Sequence, residues 1–365
     1  MNEELLKAVG IDVEPAEKVI NGKDVIETTV PFNFDEASDK TKVSATELIT
    51  EAVKPKEAKK IDLNSLNIVD TIATEKEKDL RIALYGSKSA FQVVAAQSGY
   101  MAQIAPLVHK DIISLMTSNL SRYERQKAIY KVMYDKLVNI SCGKLSFEEW
   151  LKCTSSGDIE SLYYGLYCST FPGLGTFTFE CPDCEEQTTM KIDNANLVKT
   201  ANNDKMKKLI NKVSKNVLSK EEMRKYSLIG KYEGYKLTDS GIVMEVRTPS
   251  LWDVLDMLQK VPEKLIDRDA TSAEYMLYIN RFLIPIKDTN NYSEERDRQE
   301  ILRIIDNLSL DDSQELQNAI QAKYEENRIS YSIKNIKCPK CHAEFKDTEI
   351  SIEDILFTLI YEKAQ

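Results

Sequence analysis

Histidine is almost missing from this chain: His109 and His342 are the only two in 365 residues, and tryptophan is just as scarce. Acid–base or nucleophilic catalysis built on imidazole therefore has little to draw on. No apolar run approaches the roughly 18 residues that a membrane-spanning helix needs, so no membrane partner is expected. The start, Met1-Asn2-Glu3-Glu4, is acidic where a secretory signal is basic, and no such signal is expected. Positive charge is in deficit as well. With 49 Lys+Arg against 59 Asp+Glu the net charge is −10, which argues against general binding to nucleic acid. Internal repeats and heptads are absent, and no carboxylate pairs with a histidine, lysine or serine in a catalytic pattern. Gly86-Ser87-Lys88-Ser89 lacks the upstream glycine and the Gly-Lys-Ser/Thr tail of a phosphate loop, so nucleotide binding is not expected.

Cysteine, by contrast, is concentrated. Four of the seven cysteines form Cys181-Pro182-Asp183-Cys184 and Cys338-Pro339-Lys340-Cys341, with the 153 residues 185–337 between them. A Cys-x-x-Cys turn brings two thiolates within reach of one ion, and zinc takes four such ligands, so the two turns read as halves of one structural Zn2+ site. The flanks suit a ribbon. Thr176-Phe177-Thr178-Phe179 alternates into the first turn, 188–192 leads out of it, and 329–336 leads into the second. Closing so long a loop costs about 4–5 kcal/mol, whereas structural zinc in small ribbons contributes roughly 10–16 kcal/mol. The competing readings are a disulfide framework and a thioredoxin-like redox pair. Two turns of one pattern, without a neighbouring histidine base, favour metal in a reducing compartment.

His342 directly follows Cys341 and cannot easily face the same ion. It takes the place where glycine most readily accepts a positive φ. His109 is expected on the exposed side of an amphipathic helix. Cys142, Cys153 and Cys168 are left over, as buried free thiols.

Along the chain, residues 1–79 hold 18 acidic and 11 basic side chains and two aromatics, the composition of an arm. Two apolar islands interrupt it, at 61–66 and at Thr29-Val30-Pro31-Phe32-Asn33-Phe34. In the latter, alternation puts Val30, Phe32 and Phe34 on one face, suited to docking on a partner by strand addition or in a groove. From about Asp79 the pattern turns helical, with Ile104, Leu107, Val108, Ile112 and Leu115, then Ile129, Val132, Met133, Leu137 and Ile140, at core-facing spacings. Ser146 with Glu149, and Ser250 with Asp253, are helix-capping pairs. Residues 205–225 hold eight basic and two acidic side chains, either a solvated helix face or a patch for an acidic partner or a nucleic-acid backbone. A strand is expected at 242–246, a polar break at 290–295, and helices at 301–308, 314–324 and 352–361.

These features occur in a particular order. Asp158-Ile159-Glu160-Ser161-Leu162 precedes a turn with Gly173 and Gly175, then Phe179-Glu180-Cys181-Pro182-Asp183-Cys184 and Ile192-Asp193. Thr248-Pro249-Ser250 follows, then Ile336-Lys337-Cys338-Pro339-Lys340-Cys341 and a short final helix. Over about residues 125–362 this order resembles the baseplate protein family of T-even-type contractile-tail bacteriophages. The resemblance implies a non-enzymatic structural or assembly role in a tail baseplate, other tail proteins as partners, and residence in the virion tail or the host cytoplasm during assembly. Glu185 and His342 stand where a glycine often follows such turns.

The expected fold is α+β and mainly helical. An acidic, extended arm spans 1–78 and a helical domain 79–170. The first half of a zinc ribbon spans 171–200, an inserted, mainly helical domain 201–325, and the second ribbon half with the last helix 326–365. The main competing function is a nucleic-acid-associated zinc-ribbon protein. The basic patch lacks interleaved aromatics apart from Tyr226 at its edge, which weighs against it.

Overall fold

A computed structural model of the chain describes residues 90–116, 120–199, 203–215, 218–268, 270–287, 289–333, 336–344 and 348–364. Val30, Phe32 and Phe34, the 61–66 island and the 86–89 loop lie outside the described residues. The fold mixes helices and antiparallel sheets around two hydrophobic clusters.

The first cluster begins with a hairpin, strands β1 (Phe91–Ala95) and β2 (Tyr100–Ile104). The helical pattern expected from Asp79 does not hold here. Tyr100, Ala102 and Ile104 are buried while Met101 and Gln103 face outward, a period of two that Ile104 shares with no helix. Gly99 closes the turn at φ +76°, where an added Cβ would come within 2.7 Å of the Ser227 Cβ. Helix α1 (His109–Leu115) follows, starting at the exposed His109. Helix α2 (Arg122–Asp135) is capped reciprocally by Ser121 and Glu124. It ends before Leu137, because strand β3 (Leu137–Ile140) joins the hairpin as a third, edge strand. Helix α3 (Phe147–Cys153) has the expected Ser146–Glu149 capping box.

Helix α4 (Ile159–Thr170) is the axis of this cluster, with every residue from 161 to 169 buried. Apolar and aromatic residues all round a helix require neighbours all round it. Tyr164 meets Phe91 of β1 edge-on with centroids 5.5 Å apart, and the Tyr331 ring on another side at 4.3 Å. Tyr163 meets Phe357 at 5.8 Å. Gly165 lets the hairpin close on the helix, since a Cβ there would lie 2.7 Å from both Ile104 Cδ1 and Val93 Cγ1. The chain continues through strands β4 (Leu174–Glu180), β5 (Gln187–Asp193) and β6 (Val198–Lys199), then helices α5 (Asp204–Ser214) and α6 (Lys220–Arg224). The two basic helices bury Met206, Leu209 and Met223 in the first cluster and leave their lysines in solvent.

The second cluster is built on strands β7 (Tyr232–Lys236) and β8 (Val243–Arg247), helices α7 (Leu251–Lys260), α8 (Glu263–Arg268) and α9 (Ala270–Tyr278), strands β9 (Ile279–Pro285) and β10 (Tyr292–Glu295), and helices α10 (Arg298–Asp306) and α11 (Leu310–Glu325). The sheet order is β10-β9-β8-β7. The insert is thus helices packed on a four-stranded sheet. The polar stretch 290–295 proves to contain an edge strand, whose one-sided exposure explains its hydrophilic composition. Ser250 and Asp253 cap α7 as expected, and buried Asp312 accepts the Asp239 and Ser240 N–H groups, fixing the β7–β8 turn against α11. Strands β11 (Ser330–Ile333) and β12 (Thr348–Glu349) and helix α12 (Ile352–Ala364) then return to the first cluster.

A buried polar seam joins the clusters. Asp158, 1% exposed, accepts the Gln97 N–H at 3.2 Å, the Ser98 N–H at 2.6 Å and the Ser98 hydroxyl at 2.7 Å. The Ser98 hydroxyl oxygen in turn accepts the Ser155 N–H. The Gln97 side-chain amide donates to the carbonyls of Tyr324 and Glu326 at the end of α11, and the Gln97 main-chain carbonyl accepts the Leu228 N–H. Ser156 and Leu251 complete the seam through Pro249 and Thr154.

Burial pushes the Asp158 carboxyl from 3.8 up to about 6, against the opposing pull of the Ser98 and Gln97 donors. A folded pKa above the unfolded one means that the stabilising contribution is complete below about pH 4 and is lost as pH rises through 6. Asp158→Asn, neutral throughout, is therefore expected to abolish about 3 kcal/mol of stability change across that window. Asp158→Ala strands three donors and is expected to destabilise by about 2–4 kcal/mol. Denaturant titrations of the three proteins at about pH 3.5 and pH 7, on either side of that window, measure both effects.

Candidate metal centre

Each cysteine turn is held in place by a different part of the first cluster. The β4–β5 hairpin pairs continuously from Leu174–Asp193 to Glu180–Gln187, so its tip presents Cys181 and Cys184. Its open end is fixed to α4 through Asn194. The Tyr167 hydroxyl donates to Asn194 Oδ1 and the Tyr164 hydroxyl to its carbonyl, both at 2.8 Å, while the Asn194 amide donates to the Phe171 carbonyl at 2.7 Å. The second turn hangs from β11, which lies between β6 and β12, and Ile336 and Cys338 that follow are fully buried.

The two turns have one backbone. The Glu185 N–H donates to the Cys181 carbonyl at 2.8 Å and the His342 N–H to the Cys338 carbonyl at 3.1 Å. One step further, Cys181 N–H donates to Glu186 and Cys338 N–H to Ala343. Glu185 and His342 sit at φ +58° and +60°, the left-handed region expected for the position after the second cysteine. His342 is exposed and does not join the cysteines.

The four sulfurs meet. Cys181 Sγ lies 3.6 Å from Cys341 Sγ, Cys184 Sγ lies 3.5 Å from Cys338 Sγ, and all four are within 4.8 Å of one another. A disulfide has its sulfurs about 2.05 Å apart, so these are free thiols. Four sulfurs at about 2.3 Å from a tetrahedral ion would be about 3.8 Å apart, a spacing that these distances suit. The pairing across turns, rather than within each, ties residues 181–184 to residues 338–341. The Cys341 N–H and then the Lys340 N–H point at Cys338 Sγ and pull its thiol down. Cys181 and Cys338 are buried while Cys341 is exposed. The Lys340–Glu186 ion pair spans the two turns at 3.3 Å.

Of the remaining thiols, Cys168 is buried as expected, and Cys142 and Cys153 are only half-buried. Burial pushes Cys168 up to about 12 and Cys153 to about 11, which makes both poor nucleophiles at neutral pH. In the basic stretch, Lys212 pairs with Glu222 and Lys207 with Asp204, and Lys205 donates to Asn327 and lies over the Tyr226 ring. No described helix is long and apolar enough to cross a membrane.

A non-glycine residue in the left-handed region costs about 1–2 kcal/mol. Glu185→Gly and His342→Gly are each expected to raise thermal stability by up to about 1 kcal/mol, and the alanine variants are not. Melting curves of these four variants and the parent protein test this.

No curated protein and no solved structure matches the chain. A family model does match, over residues 91–356, and its described family is the T4 bacteriophage base plate protein. The match runs from the first strand of the first cluster, across the whole second cluster and both cysteine turns, into α12. The chain belongs to the T4 bacteriophage base plate protein family.

Proposed function

We propose that the protein is a non-enzymatic structural or assembly component of a contractile-tail baseplate, working by contact with other tail proteins around a body closed by one structural zinc. The observation that carries the reading is the family match across both clusters. The zinc assignment rests on the four sulfurs within 4.8 Å of one another, with Cys181, Cys184, Cys338 and Cys341 as ligands. Zinc bound by four thiolates has no open position for a water, so it would supply structure alone. The protein's own residues do the positioning: α4 and Asn194 hold one turn, β11 the other, and the metal would close the loop 185–337 that carries the second cluster. On this reading the chain divides into an arm over 1–78, a body interrupted at the ribbon, and an insert centred on the second cluster. The nucleic-acid alternative is not favoured. It would rest on the helices at 204–225, whose described cations include two ion-paired lysines.

Purified protein is expected to contain one zinc per chain. Cys338→Ser is expected to lose the metal and destabilise the fold by several kcal/mol, on the order of a lost structural ligand. Elemental analysis with thermal melting decides it, and a metal-free protein with an unchanged melting point would sink the zinc reading.

Without the protein, heads and free tail components are expected to accumulate while contractile tails fail to assemble. Deleting residues 1–78 is expected to weaken partner recruitment and leave the zinc-bound body folded. Amides around Val30, Phe32 and Phe34 are expected to gain protection from hydrogen exchange when the partner binds. Normal tails and normal infection in the absence of the protein would overturn the assembly reading.

A further inference from the structure

The metal centre makes no use of the basic stretch 205–225. Its helices α5 and α6 are tied together by the Lys212–Glu222 ion pair at 2.9 Å, and they bury Met206, Leu209 and Met223 in the first cluster. Helical spacing turns their charges outward. Asp204 pairs with Lys207 and Glu222 with Lys212, leaving Glu221 as the carboxylate of these helices without an ion pair among the described residues. Against it stand Lys208, Lys215, Lys220, Arg224 and Lys225, all exposed and without an ion pair or hydrogen bond among the described residues. Lys208 and Lys212, and Lys220 and Arg224, are like charges four residues apart, an arrangement that works against its own helix.

The opposite charge lies in the same chain. Residues 1–39 hold ten acidic and three basic side chains, whereas residues 40–79 hold eight of each, so the whole −7 of the arm falls in its first half. Outside residues 1–39 and 205–225 the chain carries −9. A segment at −7 is repelled by such a body and attracted to one face of it. That face is within reach. The turn of the β1–β2 hairpin packs on the residues just after α6, where the Gln97 carbonyl accepts the Leu228 N–H at 2.7 Å and Gly99 lies against Ser227. The arm therefore joins the body at the far end of β1, about 17 Å of strand from that turn. The fifty residues 40–89 can span up to about 165 Å.

We infer that residues 1–39 dock on the cationic face of α5 and α6 of the same chain, their carboxylates against Lys208, Lys215, Lys220, Arg224 and Lys225. Exposed ion pairs are individually weak, but the tether makes the encounter intramolecular, so several weak contacts suffice. Contacts made by side-chain charges leave the apolar face of Val30, Phe32 and Phe34 unspent, and the arm is held at the body with that face open. The docked segment also keeps other polyanions off the face. Tyr226 at its edge is already covered by Lys205 at 5.1 Å and offers no stacking platform for a base. That a tail protein then takes up Val30, Phe32 and Phe34 rests on the proposed function; the contact within the chain does not.

The test is zero-length carbodiimide cross-linking of the full-length, zinc-loaded chain, which joins a carboxylate to a lysine amine where the two touch. Mass spectrometry reads it in an equal mixture of unlabelled and nitrogen-15-labelled protein. At about 50 mM salt, Lys208, Lys215, Lys220 and Lys225 are expected to cross-link to carboxylates of residues 1–39 within chains of one label. The yield is expected to fall at least about fivefold at 1 M salt, where the screening length is about 3 Å. Cross-links only between differently labelled chains would give the face to a second copy and overturn the contact, as would their absence or a yield indifferent to salt. Retention on heparin is an independent measure. The parent chain is expected to pass through, and a chain with the ten carboxylates of 1–39 changed to amides to be retained. Adding Lys208→Gln, Lys215→Gln, Lys220→Gln, Arg224→Gln and Lys225→Gln is expected to abolish that retention, with a melting point no lower than the parent's. Equal behaviour of the parent and the amide variant would overturn the contact. The contact found in a protein that proves dispensable for tails would instead sink the assembly reading and leave the docking standing.

Discussion

Four thiol sulfurs within 4.8 Å of one another form a contact that the protein alone does little to reward. Thiols are weak hydrogen-bond partners, and as thiolates they repel each other strongly at such distances. Their convergence makes physical sense as a set of ligands. Two features show that it is prepared by the fold and not an accident of packing. Cys181 and Cys338 are buried and reach the cluster from separately anchored parts of the chain: Cys181 directly follows β4, whose hairpin Asn194 ties to α4, and Cys338 follows the β6-β11-β12 sheet. The two turns also share two backbone-to-backbone hydrogen bonds around their first cysteines, and a left-handed residue that neither turn assigns to glycine.

What the cysteines do at one end, Asp158 and Gln97 do at the other. The chain leaves the first cluster after α6 and re-enters it at β11, and between these points, apart from Leu251 and Leu255 of α7 that pack on the first cluster, it builds a second core. A body joined only at the cysteine turns would hinge there. The seam removes that freedom by hydrogen-bonding the 96–99 turn to the 154–158 loop, to Leu228 and to the carbonyls at the end of α11. Because these groups are buried, each lost bond leaves an unsatisfied partner, so the seam is all-or-none in a way that surface ion pairs such as Arg122–Asp267 are not.

Much of this was legible in the sequence because the signals were local. The Ser146–Glu149 and Ser250–Asp253 boxes are four-residue patterns, and both helices start there. Thr176-Phe177-Thr178-Phe179 alternates, and it pairs with β5 over its length. The misreadings have one cause. Val93-Val94-Ala95-Ala96 is a continuous apolar run buried on both faces, and periodicity does not tell such a strand from a helix. Leu137 and Ile140 continue the spacing of α2, yet pairing with β2 takes them into a sheet, a contact no local window contains. The seam was invisible for the same reason. Asp158, Gln97 and Ser155 are ordinary polar residues until the fold buries them together.

The segment from Arg247 to Asp253 shows how the two clusters are mechanically one. The Pro249 carbonyl accepts from Ser156, and Ser250 bridges to Ser155, so this segment is part of the seam. Asp253 uses one carboxylate oxygen to accept the Ser250 N–H and hydroxyl, fixing the start of α7, and the other to hold Arg247 at the end of β8. The sheet of the second cluster is therefore one carboxylate away from the cap of α7 and from the hydrogen bonds between the clusters. On the proposed reading, in which the protein works by contact with other tail proteins, a surface positions its partner only as well as it is itself positioned, and here the same few hydrogen bonds hold the second cluster against the first.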